Sequence, residues 1–111
     1  MTVEEIIVRC HFEVLSEGDL EKQVTEAYCC DLLSIAMRSV PEGAVWCTVM
    51  SNVNTLAVAA LTDAACIVLC ENMSADEALI QKAKEQEITV LRTDKAAFKA
   101  GLAVYKLLNE Q

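Results

Sequence analysis

The chain is poor in glycine and in aromatic residues: it has three glycines and five aromatic side chains among 111 residues. Phosphoryl transfer by P-loop enzymes needs a glycine-rich cradle, G-x-x-x-x-G-K-[ST], whose Lys helps Mg²⁺ to neutralise the phosphates. None of Gly18, Gly43 and Gly101 opens such a loop, which argues against kinase activity. With so few aromatic residues, the core must consist of Ala, Val, Leu and Ile, which suits close packing of helices on a sheet.

Basic residues are also scarce. Nine Lys and Arg stand against 17 Asp and Glu, for a formal net charge of −8. Residues 1–42 carry three basic and nine acidic groups, a net of −6, and residues 43–111 carry six and eight, a net of −2. No cluster of Lys and Arg exists that could follow a phosphate backbone or an anionic lipid surface. The sequence therefore predicts that neither nucleic acid nor membrane is a partner.

The N-terminus has no basic region followed by an apolar core, so it does not look like a secretory signal. Residues 43–62 carry no charge, but Thr48, Ser51, Asn52 and Asn54 fall in the middle of this stretch. A bilayer would leave these polar groups unpaired, whereas a strand, a polar turn and a helix accommodate them. We expect a cytoplasmic protein.

Six cysteines without an export signal indicate reduced, buried thiols as the default. No C-x-x-C motif exists, and His11 is the only histidine. Two cysteines four residues apart on one strand lie roughly 13 Å apart, too far to share a metal ion. A redox- or metal-responsive cysteine protein stays open as an alternative, because two adjacent cysteines precede a predicted helix N-terminus, where a thiolate is favoured. The cysteines are Cys10, Cys29, Cys30, Cys47, Cys66 and Cys70.

Short apolar runs alternate with helical patterns along the chain, which is the signature of a parallel sheet covered on both faces. Core strands are predicted at residues 44–50, 64–69 and 88–91, and shorter extended segments at residues 12–15 and 24–28. Helices are predicted at residues 3–10, 31–39, 53–61, 75–86 and 95–108.

Helix starts and inward faces follow from capping residues and helical spacing. Thr2 with Glu5 and Ser74 with Glu77 have the capping-box spacing, and Asp31 and Asp94 look like caps of the helices that follow them. The predicted inward faces are Leu32, Leu33, Ala36 and Met37 in the second helix, Ala78, Leu79 and Ala83 in the fourth, and Phe98, Leu102, Tyr105 and Leu108 in the last.

Polar side chains gather after the predicted strands, where parallel α/β sheets bind ligands. We therefore consider a small-ligand site at this edge of the sheet, although turns and helix caps use the same residue types. The candidate ligand-binding residues are Thr25, Asp31, Thr48, Ser51, Asn52, Asn54, Thr93 and Asp94. No catalytic set and no metal-ligating set is predicted.

Three stretches resemble a known family. They are LEKQVTEAY at residues 20–28 with DLLS at 31–34, GAVWCT at 43–48 with NTLAVAA at 54–60, and IQKAKEQEITVLRT at 80–93 followed by AF at 97–98 and LAVY at 102–105. Together they resemble the stand-alone DRTGG domain over nearly the whole chain. Where that family typically has Thr-Gly-Gly, this chain reads Thr25-Glu26-Ala27, so only the threonine matches the motif.

The resemblance implies an α/β protein: a three-layer α/β/α sandwich with a mostly parallel, mixed sheet of about four to five strands. This fold is similar to the N-terminal, non-catalytic domain of HPr kinase/phosphorylase. DRTGG domains also occur in bacterial phosphotransacetylases and in pyrophosphatases that carry CBS modules, where they act as regulatory or assembly modules. We therefore expect one domain over residues 1–111 of a bacterial regulatory protein. It is expected to be non-enzymatic, to need no cofactor, to form a homodimer and to bind an adenine nucleotide or another small metabolite.

Overall fold

A computed structural model describes residues 1–110, so Gln111, the last residue of the predicted domain, lies outside the described residues. The strands are β1 (Glu13–Ser16), β2 (Glu26–Cys29), β3 (Ala44–Thr48), β4 (Cys66–Leu69) and β5 (Val90–Arg92). The helices are α1 (Val3–Cys10), α2 (Leu33–Ser39), α3 (Val53–Thr62), α4 (Glu77–Glu85) and α5 (Ala97–Leu108).

The five strands form one mixed sheet in the order β1-β5-β4-β3-β2. Strands β2 to β5 are parallel to their neighbours, and β1 pairs antiparallel with β5 at one edge. Helices cover both faces, so the predicted three-layer α/β fold with a mostly parallel sheet is confirmed. Strand β2 forms the other edge, because β3 is its only partner among the described strands.

Two apolar clusters lie on the two faces of the sheet. Helices α2, α3 and α4 pack over Trp46, Ile67 and Leu69 on one face. Helices α1 and α5 pack over Val45, Val68 and their neighbours on the other. The central strands are buried along their whole length, which explains their nearly continuous apolar sequence.

Capping explains where two of the helices begin. Thr2 and Glu5 form the predicted capping box at the start of α1. The Asn52 carboxamide oxygen accepts hydrogen bonds from the amides of Asn54 and Thr55 and so caps α3. Among residues 1–110, no helix is long and apolar enough to cross a lipid bilayer.

The predicted inward faces of three helices differ from the observed ones. In α5, the side chains that face the sheet are Ala100, Gly101, Val104 and Leu107, whereas Phe98 is 72% exposed and Tyr105 is 58% exposed. Similarly, Ala36 is the buried residue of α2, while Leu32 and Met37 are exposed. In α4, Leu79 and Ala83 are buried as predicted, but Ala78 is exposed. Small residues face inward because the helices approach the strands closely.

Candidate functional site

Asp31 and Thr48 join the carboxyl ends of β2 and β3. One oxygen of the Asp31 carboxylate accepts a hydrogen bond from the Thr48 hydroxyl at 2.7 Å and from the Val49 amide at 2.8 Å. The Thr48 oxygen in turn accepts the Met50 amide at 3.2 Å. Because Thr48 is fully buried, this network satisfies a polar group that would otherwise be costly. Its geometry is that of a structural brace between two strand ends.

The predicted helix-capping roles of Asp31, Ser74 and Asp94 are wrong. Helix α2 has Leu32 at its N-cap and α5 has Ala96, and neither cap makes a side-chain hydrogen bond. At α4 the cap is Asp76, whose carboxylate accepts the Leu79 amide at 2.8 Å. Asp31 does not cap α2 because the Thr48 hydroxyl and the Val49 amide, at the end of β3, compete with the helix terminus for its carboxylate.

The other predicted ligand residues are mostly engaged locally. Asn52 caps α3, with Asn54 as one of its donors, and the Thr93 hydroxyl accepts the Lys95 amide at 3.3 Å. Ser51 is half-buried in the loop after β3, and Asp94 is exposed in the loop after β5.

Thr25 is the one candidate that does not lie at the carboxyl edge. It precedes β2 at the opposite edge of the sheet, where its hydroxyl donates to the Glu42 carbonyl at 2.6 Å. The other seven candidates all come from segments at the carboxyl ends of the parallel strands. The structure therefore brings these seven to one edge, whereas the prediction that Thr25 lies with them is wrong.

The strand order provides no switch-point crevice at this edge. In doubly wound sheets the ligand crevice opens where the strand order reverses. Here the parallel strands run β2, β3, β4, β5 without reversal, so α2, α3 and α4 all lie on one face. An apolar cavity near the ends of β3 and β4, between α3 and α4, measures about 10 Å³, which is about the space of one water molecule. That cavity is too small for a ligand of nucleotide size.

Cysteines at the ends of three adjacent strands lie on the face that α5 covers. Cys29 ends β2 and lies directly opposite Cys47 of β3 in the parallel register. Cys47 lies between the other two cysteines, because β3 pairs with β2 on one side and with β4 on the other, and Cys70 follows β4. We call Cys29, Cys47 and Cys70 the thiol cluster. Sequence reasoning missed it, although the position of each cysteine at or near a strand end was a usable signal.

The three thiols of the cluster differ in exposure. Cys47 and Cys70 are buried, but Cys29 is exposed and the neighbouring Cys30 is only half-buried, so the prediction that the cysteines are buried is wrong at these two positions. The Cys29 thiol also donates to the Ala97 carbonyl at 3.3 Å. A Cβ atom placed on Gly101 would lie 2.8 Å from the Cys29 sulfur, so the glycine is what lets α5 approach β2 at this point.

The contacts of the thiols shift their pKa values in different directions. The hydrogen bond from Cys47 lowers the pKa of Cys29 to about 7, against smaller opposing effects of burial and of the Asp31 carboxylate. The same contacts, together with burial, raise the pKa of Cys47 well above its ordinary value. Burial raises the pKa of Cys66 to about 12. Cys29 is thus the thiol in this cluster that is both accessible and readily deprotonated.

Within residues 1–110, no group of three or more His, Cys, Asp and Glu side chains is arranged to hold a metal ion. This includes the thiol cluster. All six cysteines are free thiols.

An apolar groove of about 280 Å³ lies beside Cys29, between the edge strand and α5. It is lined by Ala27, Cys29, Phe98, Gly101, Leu102 and Tyr105, and we call it the α5 groove. Its aromatic walls are the side chains that the sequence predicts to face the core. Because β2 is an edge strand, the groove and an unpaired strand edge form one continuous surface.

Comparisons with known proteins give one informative result. No family model matches the chain, and no curated protein matches it. A solved structure with a similar fold contains the CBS and DRTGG domains of the regulatory region of Clostridium perfringens pyrophosphatase, complexed with its activator, diadenosine tetraphosphate. The TM-score is 0.75 at 14% identity, over 93% of this chain and 45% of that one, so the present chain spans about half of its neighbour. That neighbour is regulatory rather than catalytic, and the likeness supports a DRTGG-like α/β fold for this chain.

Proposed function

We propose that this chain is a non-catalytic regulatory module that self-associates through the α5 groove and the adjoining edge of β2. One observation carries the proposal: the largest side chains of α5 face solvent beside an unpaired strand edge, while glycine and alanine face the sheet. Aromatic side chains in such a position are typical of interface cores. The similarity to the HPr kinase/phosphorylase N-terminal domain stays a prediction and is compatible with this role.

A second copy of the chain is the proposed occupant of this surface. Two-fold pairing would place Phe98 and Tyr105 of one chain against the same residues of its partner, as isologous interfaces require. It would also cover the edge of β2, whose unpaired backbone groups could otherwise pair with a strand of another protein.

Light scattering after size exclusion tests this proposal. The wild-type chain is expected to form a dimer at micromolar concentrations, and the Phe98→Ser variant is expected to be a monomer. The matched control is Leu61→Ser, because Leu61 is similarly exposed, at 68%, but lies on α3 over the other face. A monomeric wild-type chain at high micromolar concentration, or equal weakening by both substitutions, would overturn the proposal.

A second proposed function is the binding of an adenine nucleotide at the carboxyl edge. It is supported by the fold neighbour, which was solved with a dinucleotide activator. Ser51 is the candidate best suited to a test, because it is half-buried and its hydroxyl takes no part in the local network described above.

Thermal shift measurements with AMP, ATP and diadenosine tetraphosphate test nucleotide binding, with adenosine as the uncharged arm. We expect stabilisation of the wild-type chain and a smaller shift for Ser51→Ala. Ser39→Ala is the control, since Ser39 ends α2 and is exposed at the far edge of the sheet. No shift with any of the four compounds would rule out this ligand class.

A further inference from the structure

We propose that Cys29 is a site of reversible oxidation by hydroperoxides and that Cys47 supplies the thiol that resolves the oxidised form into a disulfide. The proposal concerns covalent chemistry on the chain itself and does not depend on self-association. It is carried by the geometry of the thiol cluster: an exposed cysteine lies directly opposite a buried one, on neighbouring strands in matched register.

Access is the first requirement, and Cys29 meets it. Its sulfur lies at the α5 groove, which is open to solvent and wide enough to admit a small or apolar hydroperoxide. Cys30, the next residue, belongs to the other face of the sheet, where its thiol donates to the Leu32 carbonyl. Two adjacent cysteines thus differ in their surroundings, which provides an internal comparison.

The first chemical step is attack of the Cys29 thiolate on the distal oxygen of the hydroperoxide. An S–O bond forms and the O–O bond breaks, so the sulfur loses two electrons and the peroxide is reduced. The leaving oxygen takes a proton from water and departs as an alcohol, or as water where the oxidant is hydrogen peroxide. The product on the chain is a sulfenic acid at Cys29.

The second step is attack of the Cys47 sulfur on the Cys29 sulfur. An S–S bond forms, the S–O bond breaks, and the Cys47 proton leaves with the hydroxide as water. Because Cys47 is fully buried, an oxidant dissolved in the solvent cannot reach its thiol. Cys47 can react only with a neighbouring sulfur, and Cys29 lies directly opposite it. A dithiol reductant reverses the step by thiol–disulfide exchange.

Strand geometry favours a disulfide between Cys47 and Cys29 over one between Cys47 and Cys70. Neighbouring strands lie about 4.8 Å apart, which falls within the roughly 4.4–6.8 Å between Cα atoms that disulfides span. Cys47 lies opposite Val68, so Cys70 is offset by two residues along the neighbouring strand. That offset puts the Cα atoms of Cys47 and Cys70 about 8 Å apart on regular strands, beyond the usual range.

The edge position of β2 permits the small movement that closing the bond requires. Directly opposed residues on parallel strands hold their Cβ atoms at about the strand spacing, slightly wider than the roughly 3.8 Å of a relaxed disulfide. Since β2 has a partner on one side only, it can shift toward β3 without breaking a second ladder. We therefore expect the disulfide to form without unfolding of the chain.

The test treats the purified, reduced chain with a limiting amount of hydrogen peroxide and maps cross-linked tryptic peptides by mass spectrometry. Cleavage after Lys22, Arg38 and Lys82 puts Cys29 and Cys30 on one peptide and Cys47, Cys66 and Cys70 on the next. Wild type, Cys30→Ser and Cys70→Ser are expected to cross-link these two peptides, and dithiothreitol should release them. Cys29→Ser is expected to lose the cross-link.

The sulfenic acid is identified separately with dimedone. Cys47→Ala is expected to form no cross-link and to accumulate a dimedone adduct at Cys29, whereas wild type should show little adduct because Cys47 consumes the sulfenic acid. A cross-link that persists in Cys29→Ser, or one that disappears in Cys30→Ser, would overturn the proposal. Cys29→Ser alters an exposed side chain, so this arm remains informative even if the buried substitution at Cys47 impairs folding.

The same experiment in Phe98→Ser separates this inference from the proposed self-association. If Phe98→Ser is monomeric and still forms the cross-link, both proposals stand. If wild type is monomeric and cross-links, self-association fails and the thiol chemistry stands. If Phe98→Ser dissociates but no variant forms the cross-link, the thiol chemistry fails and self-association stands.

Discussion

The Asp31 carboxylate and the Thr48 hydroxyl, 2.7 Å apart, tie the loop after β2 to the last residue of β3. Asp31 is exposed and Thr48 is fully buried, so an acidic surface residue satisfies a polar group of the core. Asp31 therefore stabilises the fold. The charge of the same carboxylate also opposes deprotonation of Cys29 and so raises its pKa.

Replacing Asp31 with alanine should therefore destabilise the fold. The substitution leaves the Thr48 hydroxyl and the Val49 amide without their acceptor, at a cost of about 1–2 kcal/mol in the free energy of unfolding. The comparison variant is Asp94→Ala, at an exposed loop position, which should change that free energy by less than about 0.5 kcal/mol. Urea unfolding at pH 7 measures both, and equal effects of the two substitutions would contradict the bracing role.

Substitutions at Gly101 and Cys29 should have coupled effects on the free energy of unfolding. Alanine at position 101 gains up to about 1 kcal/mol of helix propensity, but its Cβ would meet the Cys29 sulfur at 2.8 Å. Gly101→Ala should therefore stabilise the chain more in a Cys29→Ala background than in wild type. A double-mutant cycle by urea unfolding gives the coupling, which should be at least about 0.5 kcal/mol. A coupling near zero would mean that the sulfur moves aside freely.

The contrast between α5 and the strands shows which parts of this fold could be predicted from sequence. The core strands could be predicted from the sequence, because every residue of β3 and β4 is apolar or small and both faces are covered. Helix α5 offers two apolar stripes at helical spacing, and side-chain size favoured the one with Phe98 and Tyr105. The other stripe faces the sheet, because α5 lies so close to β2 that Gly101 packs on a sulfur atom where a larger residue does not fit.

The candidate site was less predictable, because its contacts join distant parts of the chain. The residues around Asp31 in the sequence predict a helix cap, yet its hydrogen-bond partners lie 17 and 18 residues further along the chain. The thiol cluster depends on the register of three strands, which spacing alone does not fix. Once the register is known, Cys29 and Cys47 are paired, and the alternation of side chains along a strand separates Cys29 from Cys30.

Salt concentration should change the proposed self-association in a direction that net charge determines. Each chain carries a formal charge of −8, so two copies repel one another at low ionic strength. Apolar contacts through the α5 groove are not weakened by salt, so the dimer should tighten as sodium chloride rises from about 20 to 300 mM. Sedimentation equilibrium measures the dissociation constant at each concentration. A dimer that weakens with salt would point to ion pairs instead of the α5 groove.

The reactivity of Cys29 should depend on pH with a midpoint near its lowered pKa of about 7. Thiolates are the reactive form, so the rate of alkylation by iodoacetamide should rise through this midpoint and level off above it. Labelling is followed by mass spectrometry in a Cys30→Ser background, where the remaining cysteines besides Cys29 are buried.

Two substitutions should move this midpoint in opposite directions. Cys47→Ala removes the hydrogen bond that favours the Cys29 thiolate, so the midpoint should rise. Asp31→Ala removes a nearby negative charge that opposes deprotonation, so the midpoint should fall. Screening by salt should diminish the Asp31 effect and leave the Cys47 effect, because the first acts through charge and the second through direct contact. Shifts of the same sign in both variants would show that Cys29 responds to general loosening of the fold rather than to these two neighbours.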